Sequence, residues 1–153
     1  MNSKANPDLS FATTLEVRDR CLCLQAQRSA RALARRFDAV LKPLALTNGQ
    51  FSILMSLNRP EPPRISDLAP FLAMDRTTLT AAFKVLQRRG LVIALPDPED
   101  GRNRRLVLTD EGRALLARAV PLWRAEHDAL DAELTQIDPV AVRAALAIIG
   151  SSG

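Results

Sequence analysis

The 153-residue sequence predicts a mainly α-helical fold with one small β-hairpin, in the order α-α-(β)-α-α-β-β-α-α. Three observations carry that expectation. Apolar residues recur at helical spacing through most of the chain, two consecutive capped helices lie near its middle, and directly after them comes a strand-like stretch that turns back on itself at a charged tip.

The capped helices and the hairpin occupy Ile65 to Gly112. Ser66 can cap a short helix from Asp67 to about Leu72, and Asp75 a second from Arg76 to Arg89, because each side chain can accept from an orphan amide one turn in. In the second helix Leu79, Ala82, Phe83 and Leu86 share one face at spacings of three and four, while Thr77, Thr78, Thr80, Ala81, Lys84 and Arg88 form the other. Gly90 stops this helix, Leu91 to Leu95 reads as a strand, Pro96 to Asn103 as the tip and Arg105 to Leu108 as the returning strand. Together these local signals describe a winged helix-turn-helix.

The other elements follow in order. Residues 1–12 show no periodicity and are expected to form a loose arm. From Thr13 to about Leu44, the positions Leu15, Leu22, Ala26, Ser29, Leu33, Phe37, Val40 and Leu44 are three, four or seven apart, which predicts one long amphipathic helix with Arg18, Arg28, Arg31, Arg35 and Arg36 on its other surface. Its apolar stripe needs a partner beyond one small domain. Thr47-Asn48-Gly49-Gln50 matches a capping box ahead of Phe51, Ile53, Leu54 and Leu57, and that helix must end before Pro60. Arg64 and Ile65 are expected to add a short edge strand to the hairpin, and Pro70 keeps the next helix short. After the hairpin, Thr109 can cap a helix whose first-turn acids, Asp110 and Glu111, suit the positive end of the helix dipole. It should run to about Leu134 and bend at Pro121. Asp138-Pro139 opens a last helix with Val142, Ala145, Leu146 and Ile149 on one side.

Composition sets limits on function. A chain of this length with 47% hydrophobic and 25% charged residues can bury a core without a metal or disulfide. No apolar run approaches a membrane span, and residues 1–20 lack the charged start and apolar centre of a signal peptide, so a cytoplasmic protein with no membrane partner is expected. The net charge of +4 is unevenly placed, with +3 over residues 1–75, +4 over 76–105 and −3 over 106–153. The thirty residues of second helix and hairpin thus hold a charge equal to that of the whole chain, which suits contacts to nucleic-acid phosphates.

With this order in place, residues 13–149 resemble MarR-type transcriptional regulators. Two motifs carry the resemblance: Thr77-Thr78-Leu79-Thr80 leading to Gly90-Leu91-Val92, and Asp100-Gly101-Arg102 leading through Leu108-Thr109 to Gly112. It implies an intertwined homodimer on a double-stranded, palindromic DNA operator, with dimerisation helices at 13–45 and 113–153 around a DNA-binding lobe at 46–112. It also implies that Arg102 reaches the minor groove from the wing, with its guanidinium oriented by Asp100 and with Arg104 and Arg105 beside it. A narrow groove concentrates negative potential, and a planar, always-charged fork suits it. On the second helix Thr77, Thr78, Thr80 and Ala81 are placed toward base edges, and Lys84 and Arg88 toward phosphates. Arg76 stands at the helix start against the dipole, a placement that a phosphate or an acid would justify. Ala81 departs from the family, which often has arginine there. The resemblance further implies release by a small effector bound between the dimer helices and the lobe, with Arg31, Arg35, Phe37, Phe51 and Trp123 as candidate lining, and hence a repressor.

Two cysteines, Cys21 and Cys23, fall inside the predicted first helix. Side chains two residues apart on a helix point about 200° apart and cannot pair. Counted back from Thr47, Cys23 falls where the family's organic-hydroperoxide sensors carry a reactive thiol, but those sensors hold it with tyrosines and this chain has none. Buried, inert cysteine in the dimer region is the expectation, and thiol-based peroxide sensing through Cys23 the alternative. A winged-helix protein-interaction module is a second alternative. Two thiols and the single histidine, His127, do not make a four-ligand zinc site, so no metal or other cofactor is expected. No phosphate loop, nucleophile elbow or carboxylate–histidine set appears, and an enzyme is not expected.

Overall fold

The computed structural model describes residues 9–151, so most of the predicted N-terminal arm lies outside the described residues. Seven α-helices and one hairpin are found among them: α1 (Phe11–Arg20), α2 (Leu22–Leu41), a 3-10 turn (Lys42–Leu44), α3 (Asn48–Leu57), α4 (Ile65–Phe71), α5 (Arg76–Arg88), β1 (Val92–Pro96), β2 (Arg104–Leu108), α6 (Asp110–Glu133) and α7 (Pro139–Gly150). This is the winged helix-turn-helix order that the sequence predicts. Residues up to Arg36 and residues from Phe37 form separate units. No described helix is long and apolar enough to cross a membrane.

In the first unit the long helix expected from Thr13 to Leu44 is broken. Cys21 leaves helical geometry at φ −75° and ψ 102°. Its N–H still donates to the Val17 carbonyl at 2.9 Å, while its own carbonyl accepts from Gln25 N–H at 3.1 Å and its thiol from Leu24 N–H at 3.4 Å. Cys21 therefore closes α1 and caps α2, a local competition between side chain and helix ladder that an unbroken apolar stripe conceals. Pro43 then tightens the end of α2 into the 3-10 turn.

The second unit holds the core. Leu41, Leu54, Leu68, Leu79 and Leu86 are fully enclosed, one or more from each of α2 to α5, and Val92, Leu106, Leu116 and Ala119 join them from the hairpin and α6. The reciprocal box at α3 forms as predicted, with Gln50 N–H donating to Thr47 Oγ1 at 3.2 Å and Thr47 N–H to Gln50 Oε1 at 3.1 Å. At α4 the prediction is corrected. The helix begins at Ile65, and the carboxylate of Asp67, rather than the Ser66 hydroxyl, closes its start by accepting from Arg64 N–H at 2.8 Å. Because Ile65 is already helical, the expected edge strand shrinks to a single bridge between Arg64 and Arg105, with Leu106 N–H donating to the Pro63 carbonyl at 2.8 Å. Between α4 and α5 the chain turns through Ala73 at φ 49°.

The wing leaves α5 at Gly90, whose φ of 71° is the left-handed geometry of a helix-terminating glycine. β1 and β2 pair antiparallel from Val92 opposite Leu108 to Pro96 opposite Arg104. Where β2 ends, the Thr109 hydroxyl donates to the Gly90 carbonyl at 2.7 Å and accepts from Gly112 N–H at 3.0 Å, and Thr109 N–H donates to the Leu91 carbonyl at 3.1 Å. Gly112 is needed here for space, since a Cβ on it would lie 2.1 Å from the Leu91 carbonyl oxygen. α6 then continues as one element across Pro121. α7 opens as predicted, with Val140 N–H donating to Asp138 Oδ1 at 3.0 Å, and Arg143 ties it to α6 through two bonds to the Asp131 carboxylate at 2.9 and 3.1 Å.

Gly112→Ala gives an outcome whose sign is decisive. In an unobstructed helix, alanine would stabilise by up to about 1 kcal/mol. Against the Leu91 carbonyl, overpacking should instead destabilise by about 1–3 kcal/mol. Denaturant unfolding that shows a gain would rule out the close approach of α6 to the base of the wing.

Candidate nucleic-acid interface

α5 turns its apolar face inward, with Leu79, Phe83 and Leu86 buried. At about 100° per residue, Thr77, Ala81, Lys84 and Arg88 lie in the row opposite, and Thr78 and Thr80 flank that row on either side. All four of the outer row are exposed. The helix start is fixed by Asp75, whose carboxylate accepts from Thr78 N–H at 2.8 Å and from the Thr78 hydroxyl at 2.5 Å. The Thr78 hydroxyl, with its amide, holds the Asp75 carboxyl below its ordinary pKa. The Thr80 hydroxyl donates to the Arg76 carbonyl at 2.7 Å. Arg76, Thr77, Lys84 and Arg88 have no side-chain hydrogen bond or ion pair among the described residues. Arg89 differs, because its guanidinium donates to the Ala45 carbonyl at 2.7 Å and so pins the end of α5 to the turn before α3.

On the wing, Asp100 does not orient the Arg102 guanidinium. Its carboxylate closes the tip, accepting from the backbone N–H of Arg102 at 3.1 Å and from the Asn103 side-chain amide at 3.0 Å. The reason is proximity: a carboxylate two residues ahead of an amide forms an Asx turn without ordering a long side chain. The guanidinium of Arg102 is left exposed, with no partner among the described residues, and Arg104 is likewise exposed and unpaired. Arg105 is engaged within the protein. Its Nε lies 2.9 Å from Asp97 Oδ2, and its Nη1 donates to the Pro62 carbonyl at 3.0 Å.

Asp97 escaped the sequence reading. It is 3% exposed, and its carboxylate binds Arg64 at 2.6 Å, Arg105 at 2.9 Å and Glu99 N–H at 3.0 Å. It thus clamps the wing to the residue that opens α4. The only signal for it in the sequence is an acid between Pro96 and Pro98, since Arg64 lies 33 positions away.

A cleft of about 600 Å³ opens between α3, α4 and α6 and contains Phe51 and Trp123 from the predicted effector site, together with Met55, Arg59, Phe71 and Arg124. The Phe51 and Trp123 rings stack with centroids 6.1 Å apart. Phe37 is not in its lining: it is 4% exposed, and its ring packs against His127 at 4.5 Å. His127 also touches Trp123 at 4.0 Å, and its Nδ1 is 3.0 Å from the Trp123 carbonyl, so that nitrogen carries the proton. Arg31 and Arg35 are exposed on α2, where they line a shallow groove with Gln25 and Arg28. Both cysteines are free, and in the single chain Cys23 is exposed, its sulfur accepting from the Gln27 amide at 3.2 Å. With Cys21 outside the helix, the helical angle no longer describes the pair. Among the described residues no cluster of three or more His, Cys, Asp or Glu suits a metal.

The clamp makes stability depend on pH. Hydrogen bonding from Glu99 N–H and the two guanidinium groups outweighs the cost of burial and lowers the Asp97 carboxyl from 3.8 to about 2. A depressed carboxyl contributes stability that is complete above its unfolded value and is lost as pH falls through its folded one. Unfolding followed from about pH 5 to about pH 2 should show that loss between 3.8 and about 2. Asp97→Asn should unfold at lower temperature at neutral pH and show a flatter acid limb. An acid limb equal to that of wild type would remove Asp97 from this role.

Comparison with known proteins agrees with this geometry. The family model described as MarR family matches residues 46–103, from the start of α3 to the wing tip. The transcriptional regulator SarZ of Staphylococcus aureus is 28% identical over 94 residues, 61% of this chain, and the chain spans 64% of the SarZ length. Among solved structures, the M. tuberculosis regulator MosR in complex with DNA aligns with a TM-score of 0.78 and 38% identity over 86% of this chain and 94% of its own. The repressor CouR of Rhodococcus jostii, bound to a 23-mer DNA duplex, aligns with a TM-score of 0.79 and 31% identity over 87% and 94%. With nearly the whole of MosR covered at that identity, and its central lobe matched by the family's own pattern, the chain belongs to the MarR family.

Proposed function

We propose that the chain is a cytoplasmic transcriptional repressor, not an enzyme, which binds a palindromic DNA operator as a homodimer and is released by a small effector. One observation carries this reading. Arg76, Lys84, Arg88, Arg102 and Arg104 are charged side chains of one lobe, and none has a partner among the described residues. Five unpaired cations around the helix row of Thr77 and Ala81 suit a duplex, with phosphates along the helix and Arg102 entering the adjacent minor groove. The DNA complexes of MosR and CouR support the same assignment.

Dimerisation is supported by apolar side chains left open on the flanking helices, Phe11 and Val17 on α1 and Val140, Leu146, Ile148 and Ile149 on α7. Two lobes joined in this way read half-sites about one helical turn apart. Effector release is supported by the Phe51–Trp123 cleft and by CouR, which was solved with p-coumaroyl-CoA. Trp123 is the chain's only tryptophan, so an aromatic effector entering the cleft should change protein fluorescence as it releases the duplex.

Two of the three wing arginines, Arg102 and Arg105, separate binding from folding. Affinity for a selected duplex should fall with salt at a slope of about −0.9 per phosphate neutralised, or about −4 to −5 for five cations in one lobe. Arg102→Ala should weaken binding and reduce the slope by about 1 per lobe while the thermal midpoint stays near wild type. Arg105→Ala should do the reverse, lowering the midpoint and retaining the slope. If the two variants exchange these patterns, the wing assignment is wrong. If the folded wild type binds no duplex in competitor DNA, the protein-interaction alternative replaces the regulator.

A further inference from the structure

We propose that Thr78 and Thr80 meet DNA as hydrogen-bond acceptors only, so that the start of α5 selects bases that present an amino group in the major groove, adenine through N6 or cytosine through N4. The inference rests on the DNA-binding reading above and adds to it the sign of base selection.

A threonine hydroxyl has one proton and two lone pairs. The Thr78 oxygen lies 2.5 Å from Asp75 Oδ2, and an ionised carboxylate can only accept, so the proton of Thr78 is committed to it. The Thr80 oxygen lies 2.7 Å from the Arg76 carbonyl oxygen, which also can only accept, so its proton is committed too. In each case the partner has no proton to give, so the direction of the bond is fixed. Asp75 is itself held, by Thr78 N–H at 2.8 Å. What both hydroxyls can offer a ligand is lone pairs.

Their neighbours do not blur this. The Thr77 hydroxyl has no hydrogen-bond partner among the described residues, so it can rotate to donate or accept and imposes no sign. Ala81 offers only a methyl group. Thr78 and Thr80 flank the Thr77–Ala81 row on opposite sides and so address different bases. In the major groove adenine N6 and cytosine N4 donate, whereas guanine presents O6 and N7 and thymine O4, all acceptors. A fixed acceptor opposite guanine or thymine leaves both groups without a proton between them, and those bases are rejected.

The test is selection of bound duplexes from a random library by the full chain, with the thermal midpoint of every variant recorded. Wild type should select half-sites in which two positions carry adenine or cytosine about tenfold over guanine or thymine. Thr78→Val should erase that preference at one position and Thr80→Val at the other, while Thr78→Ser keeps it. Asp75→Asn is the sharper variant, since asparagine also caps helices well. Its amide can donate to the Thr78 oxygen and free the hydroxyl proton, so preference at the Thr78 position should turn toward guanine or thymine. If Thr78→Val or Thr80→Val loses the fold, Thr78→Ser and Asp75→Asn decide. Selection of a motif whose preferences do not change in Thr78→Val and Asp75→Asn, or of guanine or thymine at these positions by wild type, overturns the proposal and leaves the regulator standing. Failure of the folded wild type to select any duplex overturns both.

Discussion

The hydroxyl of Thr109 sets where the wing stands relative to the helix it accompanies. It donates to the last carbonyl of the α5 terminus at Gly90 and accepts from the amide of Gly112 in the first turn of α6, so one side chain joins the two ends between which the hairpin is strung. The arrangement requires α6 to start almost against the Leu91 carbonyl, which only a residue without Cβ permits. The Thr–Gly spacing in the sequence is thus one geometric requirement expressed at two positions. The Asp97 clamp fixes the same hairpin along its edge, to the residue that opens α4. With both in place, the hairpin that carries Arg102 is fixed at its base and along its edge, although the Arg102 guanidinium itself has no hydrogen bond or ion pair among the described residues.

Capping was the most legible part of the fold. Thr47, Asp75, Thr109 and Asp138 each close a helix as their immediate neighbours predict, because a cap is decided within one turn of chain. Ser66 failed by the same logic, since Asp67 one residue on offered a charged acceptor for the Arg64 amide. What could not be read was set by distance. Asp97 draws its partners from 33 positions upstream and from the opposite strand, and periodicity holds no trace of either. The break at Cys21 was hidden for a different reason: an apolar stripe records which face is covered, not whether the ladder behind it is continuous.

Charge counting located the candidate interface but overcounted it. Of the seven basic residues between 76 and 105, Arg89 is tied to the Ala45 carbonyl and Arg105 to Asp97 and Pro62. Asp97 enters the net charge of residues 76–105 as an acid, yet it is buried and its charge is absorbed by Arg64 and Arg105. The outward field comes from side chains that make no hydrogen bond or ion pair among the described residues. The same division separates Asp100, which shapes the tip, from Arg102, which the tip presents.

Ala73 has a consequence of another kind. The corner between α4 and α5 passes through it at φ 49°, while Ala73 N–H donates to the Pro70 carbonyl at 3.1 Å and Met74 N–H to the Ala69 carbonyl at 3.0 Å. For an L-residue that conformation costs about 1–2 kcal/mol. The side chain is exposed and meets no core, so packing places no demand on position 73. Its permitted alphabet is written by the backbone alone: open to glycine and asparagine, tolerant of alanine, closed to valine, isoleucine and proline. A surface site that looks neutral by hydrophobicity and by charge is therefore among the least interchangeable in the lobe.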